Sequence, residues 1–346
     1  MGKGDDRDPI QRAAGAGRDL YDVATWEPRT KLDGIATSVY GGILASGRAL
    51  LILVASLIVL SQFVFTGITA IRNPLLGVYV LLSIVPALLL AVILWRSDVN
   101  VREPLEKLVI TFLLGFVFAG FAAVFNSTFQ GLFLGFGAIG TVLFFFLIVG
   151  PIEESVKLLA VRIHAYRSDQ FDAVIDGAIY GAVAGLGFAA IENTIYITGQ
   201  YLTVAGIGGS AGVATLQTTA VRTFAGPGHV IYSAFAGYYL GLAKFNPEHR
   251  GPIIVKGLLI AVFIHATYNT VVSNLGLFLG FVPVLAALPP SLAFLGFILA
   301  YDGFFFLVLY AKIRKYRRVF DEVGAGSAYP RAEGRGDSAE PSLFDR

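Results

Sequence analysis

Apolar stretches of about twenty residues, separated by short polar connections, repeat along most of this chain. A helix needs about 20 apolar residues to cross a bilayer. On that measure eight segments qualify: roughly 43–71, 74–95, 108–126, 137–163, 173–198, 224–243, 253–275 and 291–311. The run Leu277–Leu288, closed by Pro289-Pro290, is too short to cross and reads as a re-entrant or interfacial piece. Residues 1–42 and 317–346 are polar and cannot bury a core, so they read as disordered tails around a membrane domain at 43–316. The pattern predicts an all-α, polytopic membrane helix bundle of about eight transmembrane helices.

Composition strengthens this picture. The chain is 55% hydrophobic and 14% charged, with mean hydropathy +0.71, which sets it apart from ordinary soluble domains. Its 40 glycines suit helices that approach closely in lipid. There is no cysteine, so disulfides and thiolate metal sites are excluded, and a metal here must take His, Asp, Glu or water. The first 42 residues lack the short apolar core and cleavage site of a signal peptide, so the first apolar run is expected to stay as an anchor.

Charge orients the helices. With the N-terminus in the cytoplasm, residues 1–48, 96–107, 162–172, 244–252 and 312–346 fall on the inner side and hold 22 of the 26 lysines and arginines. The opposite connections hold only Arg72 and Arg222, while Lys157 and Lys256 lie within segments. This asymmetry matches the positive-inside rule with both termini cytoplasmic.

Against that apolar background the polar exceptions carry the information, because a charge at the bilayer centre costs at least ~2.5–3.5 kcal/mol. They are Glu153-Glu154 with Lys157, Glu192-Asn193, His229, and His265 with Asn269. Three segments set small residues in line with their polar group: Gly177, Gly181, Gly185 and Ala189 ahead of Glu192; His229, Ser233, Gly237 and Gly241; and Gly257, Ala261, His265, Asn269 and Ser273. Residues four apart share a helix face, and small residues in such rows mark helix contacts. Each polar group is therefore expected to face protein. Pro151 predicts a break or kink, with the glutamates at a restarted helix N-terminus. Lys157, three and four residues on, can pair with either glutamate, leaving the other desolvated and suited to act as a base.

Counted from the outer ends at 1.5 Å per residue, Glu192 and His229 lie roughly 10 Å deep and His265 about 15 Å. Glu153 comes out deeper, roughly 24 Å, unless the helix before Pro151 bends. Glu192, His229 and His265 could hold one divalent ion, zinc fitting the ligand types, with Glu153 or Glu154 deprotonating its water. Alternatively a glutamate and a histidine polarise water without metal, and His265 with Asn269 donates to the developing oxyanion. The compact H-E-x-x-H spacing is absent.

Four short patterns stand in order: E-E-x-x-K at Glu153, Glu154 and Lys157; G-F-x-x-x-E-N from Gly187-Phe188 to Glu192-Asn193; an arginine-to-histidine pair, Arg222 and His229, followed by Gly-Tyr-Tyr-Leu-Gly at 237–241; and H-x-x-Y-N from His265 to Asn269. In these the chain resembles the PrsW-type intramembrane proteases, relatives of the CAAX prenyl endopeptidases, over roughly 75–275. Glu103-Pro104 and Asp176-Gly177 are also similar. The resemblance implies a multi-pass protein of a prokaryotic cell membrane that cleaves a membrane-anchored protein, as relatives cleave anti-sigma factors, by metallopeptidase or glutamate-type chemistry. It implies Glu153 as the water-activating residue, with Asn193, Arg222 and Lys157 in support. CAAX-type relatives carry a histidine where Glu192 stands, so their division of labour does not carry over.

Other polar residues read as ordinary. His164 and His249 sit beside basic residues in connections, and Lys256 is placed to snorkel. Arg314-Lys315-Tyr316-Arg317-Arg318 follows a span and reads as an anchor to anionic lipid, with no nucleic-acid partner implied. Asp302 is mid-span and matches no pattern. The competing class is a proton- or ion-coupled transporter, since intramembrane Glu and His also build proton relays. A single break, at Pro151, without a counterpart in the other half of the chain favours the enzyme.

Overall fold

The computed structural model describes Asp19 and residues 27–98, 103–280 and 288–322, and every regular element among them is helical. Helix α1 (Lys31–Arg72) begins twelve residues before the expected apolar start at 43. A reciprocal cap explains the early start: Asp33 N–H donates to Thr30 Oγ1 (3.1 Å), and Asp33 Oδ2 accepts from the Thr30 N–H (2.7 Å). The chain divides into two compact units, Met1–Leu60 and Ser61–Arg346, and all chemistry below lies in the second.

In that unit α2 (Pro74–Trp95) and α3 (Leu105–Gln130) come first. A short α4 (Gly137–Phe144) leads through a π turn (Phe145–Val149) into α5 (Gly150–Ile163). Then follow α6 (Val174–Gly206), α7 (Ala211–Lys244), α8 (Arg250–Ser273), the short α9 (Leu275–Gly280) and α10 (Pro290–Glu322). All eight expected spans are helical. Six helices among the described residues are long and apolar enough to cross a membrane: α2, α3, the α4–α5 run, α6, α8 and α10.

Two expectations gain detail. At the expected break or kink the α-helix gives way to the π turn and restarts at Gly150, with Pro151 and Glu153 in its first turn, so the chain stays helical throughout. Helix α10 runs on to Glu322, past the expected boundary at 316. The remainder of both polar tails, and residues 281–287 of the expected re-entrant piece, lie outside the described residues.

Helix α6 is the innermost. Its most apolar window is 100% buried, against 22–33% in the other five, so α6 meets protein where they meet lipid. Helix α7 packs along one side of it and α3 along another, while α2 touches both α6 and α7. The α6–α7 seam is made of glycine on both faces. A Cβ at Gly177, Gly181 or Gly185 would overlap the carbonyl oxygen of Gly237, Ser233 or His229 in turn, and one at Gly237 would overlap that of Gly177. Gly187 gives α3 the same access, at the Phe112 carbonyl. Backbones this close leave no room for a side chain, which explains the small-residue rows.

Gly181→Ala should therefore lower thermal stability in detergent by about 1–3 kcal/mol, the cost of overpacking. Gly199→Ala, where a Cβ meets nothing within 4 Å, should not. Topology is tested separately: because there is no cysteine, single cysteines at Ser168 and Gly208 should label from opposite sides of the membrane, and labelling of both from one side would overturn the positive-inside assignment.

Candidate active site

Lys157, on α5, is the centre of the polar cluster and is 1% exposed. Its ammonium donates to Glu154 Oε1 (2.7 Å) and to His229 Nδ1 (3.0 Å), and lies 3.7 Å from Glu153 Oε2. The Phe188 ring closes over it, 4.2 Å from centroid to Nζ. The pairing left open by sequence is thereby divided: Glu154 takes the close contact and Glu153 the distant one. Glu154 Oε1 also accepts from His265 Nδ1 (2.8 Å), and Ser233 Oγ reaches Glu154 Oε2 at 3.4 Å.

These contacts fix both imidazoles. An ammonium can only donate, so His229 Nδ1 accepts and its Nε2–H points to Glu192 Oε2 (2.7 Å). His265 gives its Nδ1–H to Glu154, which leaves the Nε2 lone pair facing Glu153 Oε2 at 3.7 Å. Each histidine is thus backed by a carboxylate on one nitrogen, as metal-ligating histidines are, but only His265 keeps its other nitrogen free; the His229 Nδ1 lone pair is taken by Lys157. The two rings meet edge to face with centroids 5.2 Å apart.

Glu153 is held by a residue that sequence reading passed over. Asn126, on α3, donates from Nδ2 to Glu153 Oε1 (2.9 Å). Glu153 Oε2 has no hydrogen-bond partner among the described residues, although the residue is only 4% exposed. A bare carboxylate oxygen opposite a bare imidazole lone pair is an acceptor pair that draws a proton or a cation. Ligand atoms of Glu153, His229 and His265 all lie within 4.8 Å of one another, a donor set that fits a divalent ion once Lys157 yields the His229 Nδ1 lone pair. The expected set had Glu192 in place of Glu153. In the structure Glu192 meets Arg222 Nη2 (2.6 Å) and His229 Nε2 (2.7 Å), and Glu153 comes level with His265 despite its greater depth by residue count.

Arg222 and Asn193 form a second layer. Arg222 Nε donates to Asn193 Oδ1 (2.8 Å), and Asn193, fully buried, donates to Ser83 Oγ on α2 (2.9 Å). Asn269 stands one turn beyond His265, lines the cavity and makes no hydrogen bond among the described residues. Asp302 also finds its place: it accepts from Tyr232 Oη (2.7 Å), whose ring packs on His265 with centroids 5.4 Å apart. Asn126, Ser83 and Tyr232 gave no sequence signal beyond being polar groups in apolar segments, whereas Ser233 stood in the small-residue row that begins at His229.

A cavity of about 950 Å³ exposes Glu153, Glu192, Arg222, His229, His265 and Asn269. It is also lined by the end of α3 (Asn126, Gln130), the start of α4 (Gly137) and the end of α8 (Ser273), all on the side away from the basic connections.

Fold and cluster together define a polytopic helical membrane protein with a buried site of acids, imidazoles and one ammonium. The family described as PrsW family intramembrane metalloprotease matches residues 103–293, more than half of the chain, and the chain belongs to that family, a family of peptidases. It is 31% identical over 189 residues to Protease PrsW of Halalkalibacterium halodurans, covering 55% of this chain and 80% of that one. With Protease PrsW of Bacillus subtilis it shares 29% over 196 residues, 56% of this chain and 82% of the relative. With that of Shouchella clausii it shares 30% over 131 residues, 38% of this chain and about half (55%) of the relative's length. No solved structure matches. Nothing in these comparisons supports a transporter.

Removing one partner of a buried charge pair costs about 3–5 kcal/mol, because the other is left uncompensated. Lys157→Met alone should lose about that much stability, whereas Lys157→Met with Glu154→Gln should recover most of it; chemical unfolding of the single and double variants measures the coupling.

Proposed function

We propose that this protein hydrolyses a peptide bond of a membrane-anchored protein in a prokaryotic cell membrane, with the bond bound in the cavity between α3, α6, α7 and α8. The observation that carries the proposal is the convergence of Glu153, Glu154, His229 and His265 around Lys157 in that cavity. The family description implies a metal, and zinc suits a carboxylate with two imidazoles. When bound, such an ion lowers the pKa of its water and polarises the scissile carbonyl.

The residues divide the remaining work. Glu153 Oε2, buried and without a hydrogen bond among the described residues, either takes the proton of the attacking water or joins His229 and His265 in holding the ion. Asn126 aims that carboxylate. Glu154 fixes the tautomer of His265, and Lys157 neutralises Glu154, so one positive charge serves two roles. Arg222 pins Glu192, which in turn pins His229. The uncommitted amide of Asn269, on the His265 face, donates to the oxyanion that develops on the carbonyl. Apolar walls such as Phe144, Phe188 and Tyr268 limit water to the polar end.

Glu153→Gln should reduce cleavage at least ~10²-fold, the usual contribution of a general base. Comparing membrane proteomes of cells carrying wild type or Glu153→Gln should reveal a protein trimmed only by the former; identical proteomes would remove the peptidase assignment. Metal analysis of the same purified proteins separates the two roles of Glu153. Retained metal with lost cleavage marks a base, and lost metal marks a ligand, as loss in His229→Ala and His265→Ala should confirm.

A further inference from the structure

A second group of acids lies at the other ends of the same helices. Asp98 follows α2, Glu103 precedes α3 and Asp176 stands in the first turn of α6, whereas the cavity is lined by the later parts of α3 and α6. One carboxylate oxygen from each of the three lies within 4.8 Å of the others. Glu103 is 2% and Asp176 1% exposed, so neither charge is relieved by bulk water.

Their hydrogen bonds account for only part of this charge. Asp176 Oδ2 accepts the N–H groups of Asp172 (2.8 Å) and Ala173 (2.7 Å), which caps α6. Tyr180 Oη donates to Glu103 Oε2, and the Glu103 N–H donates to Asp98 Oδ2 (3.2 Å). Asp176 Oδ1 and Glu103 Oε1 remain, both buried and without a partner among the described residues. Among those residues no lysine or arginine pairs with Glu103 or Asp176. Lys244, one of the nearby cations, spends its ammonium on the carbonyls of Tyr166 (3.0 Å), Ser168 (3.0 Å) and Phe171 (2.8 Å), and Lys107 acts on Glu103 without pairing with it.

We propose that Asp98, Glu103 and Asp176 form a second cation site, taking a hard divalent ion of the Mg²⁺ or Ca²⁺ class. The donors are oxygen only, the ligand type such ions require, in contrast to the histidine-rich cluster that suits zinc. The ion satisfies the two orphaned oxygens and offsets the buried charge of Glu103 and Asp176. It also ties the α2–α3 connection to the first turn of α6, the helix that carries Glu192 and Asn193.

The structure supplies its own reporter. Trp95 Nε1 donates to the Glu103 carbonyl (3.2 Å), which places an indole beside the site. The chain has two tryptophans, so Trp26→Phe in the full chain leaves Trp95 alone. Purified in detergent and titrated with Tb³⁺, a luminescent stand-in for Ca²⁺, this protein should show saturable emission on indole excitation, displaced by Ca²⁺ or Mg²⁺. Asp176→Asn and Glu103→Gln keep the cap and tyrosine acceptors but remove charge, and each should weaken Tb³⁺ binding at least tenfold. Glu153→Gln, in the other cluster, should leave the emission unchanged, which separates this site from the proposed peptidase site. Absence of saturable emission, undiminished emission in both amide variants, or its loss in Glu153→Gln would each overturn the proposal. If Asp176→Asn fails to fold, as thermal unfolding without ion would show, Glu103→Gln alone decides.

Discussion

A single buried ammonium holds the site of this protein together. Lys157 lies among Glu154, Glu153 and His229 under the ring of Phe188, where an unpaired charge of either sign would be costly. Without it, Glu154 could not remain a charged acceptor for His265, and His229 would lose the donor that sets its tautomer. Because the lysine sits at helical spacing from both glutamates, one turn of α5 supplies two carboxylates and their counterion together. The remaining polar residues are arranged around that turn: Asn126 from α3, Glu192 and Asn193 from α6, Arg222 and His229 from α7, His265 from α8.

Such convergence depends on close backbones. Helices α6 and α7 meet through Gly177, Gly181, Gly185 and Gly237, and α3 reaches α6 at Gly187. Lipid gives no hydrophobic driving force for helix association, so packing and interhelical hydrogen bonds must supply it. The cluster does both. Its hydrogen bonds link five helices across the bundle, counting α5, and extend to α2 through Ser83. Stability and chemistry therefore draw on the same contacts, and a side chain inserted in the glycine seam would disturb both.

Much of this was legible in one dimension. Segment length identified the helices, and the positions of Glu153, Glu154, Glu192, His229 and His265 stood out because apolar segments seldom tolerate them. Asn126, Ser83 and Tyr232 did not stand out, since a neutral polar residue in a membrane helix is common and its partner is remote in sequence. Asp302 was visible but uninterpretable until Tyr232 was placed beside it. The same holds for the acids at Asp98, Glu103 and Asp176. Two of them belonged to recognisable patterns, yet only folding reveals that their oxygens converge.

Local physics, then, was decided by the chain alone: the bilayer demands long apolar helices, and spacing by three and four puts Lys157 on the face of both glutamates and Asn269 on that of His265. Partner choice was a matter for the tertiary structure. Spacing permits Lys157 either glutamate, and packing gives it Glu154; Glu192 meets Arg222 and His229, while an oxygen of Glu153 lies within 4.8 Å of ligand atoms of both histidines. The π turn just before Pro151, at the expected break or kink, leaves Glu153 beside His265. These outcomes turn on differences of about an ångström between side chains distant in sequence, and no periodicity along one helix records them.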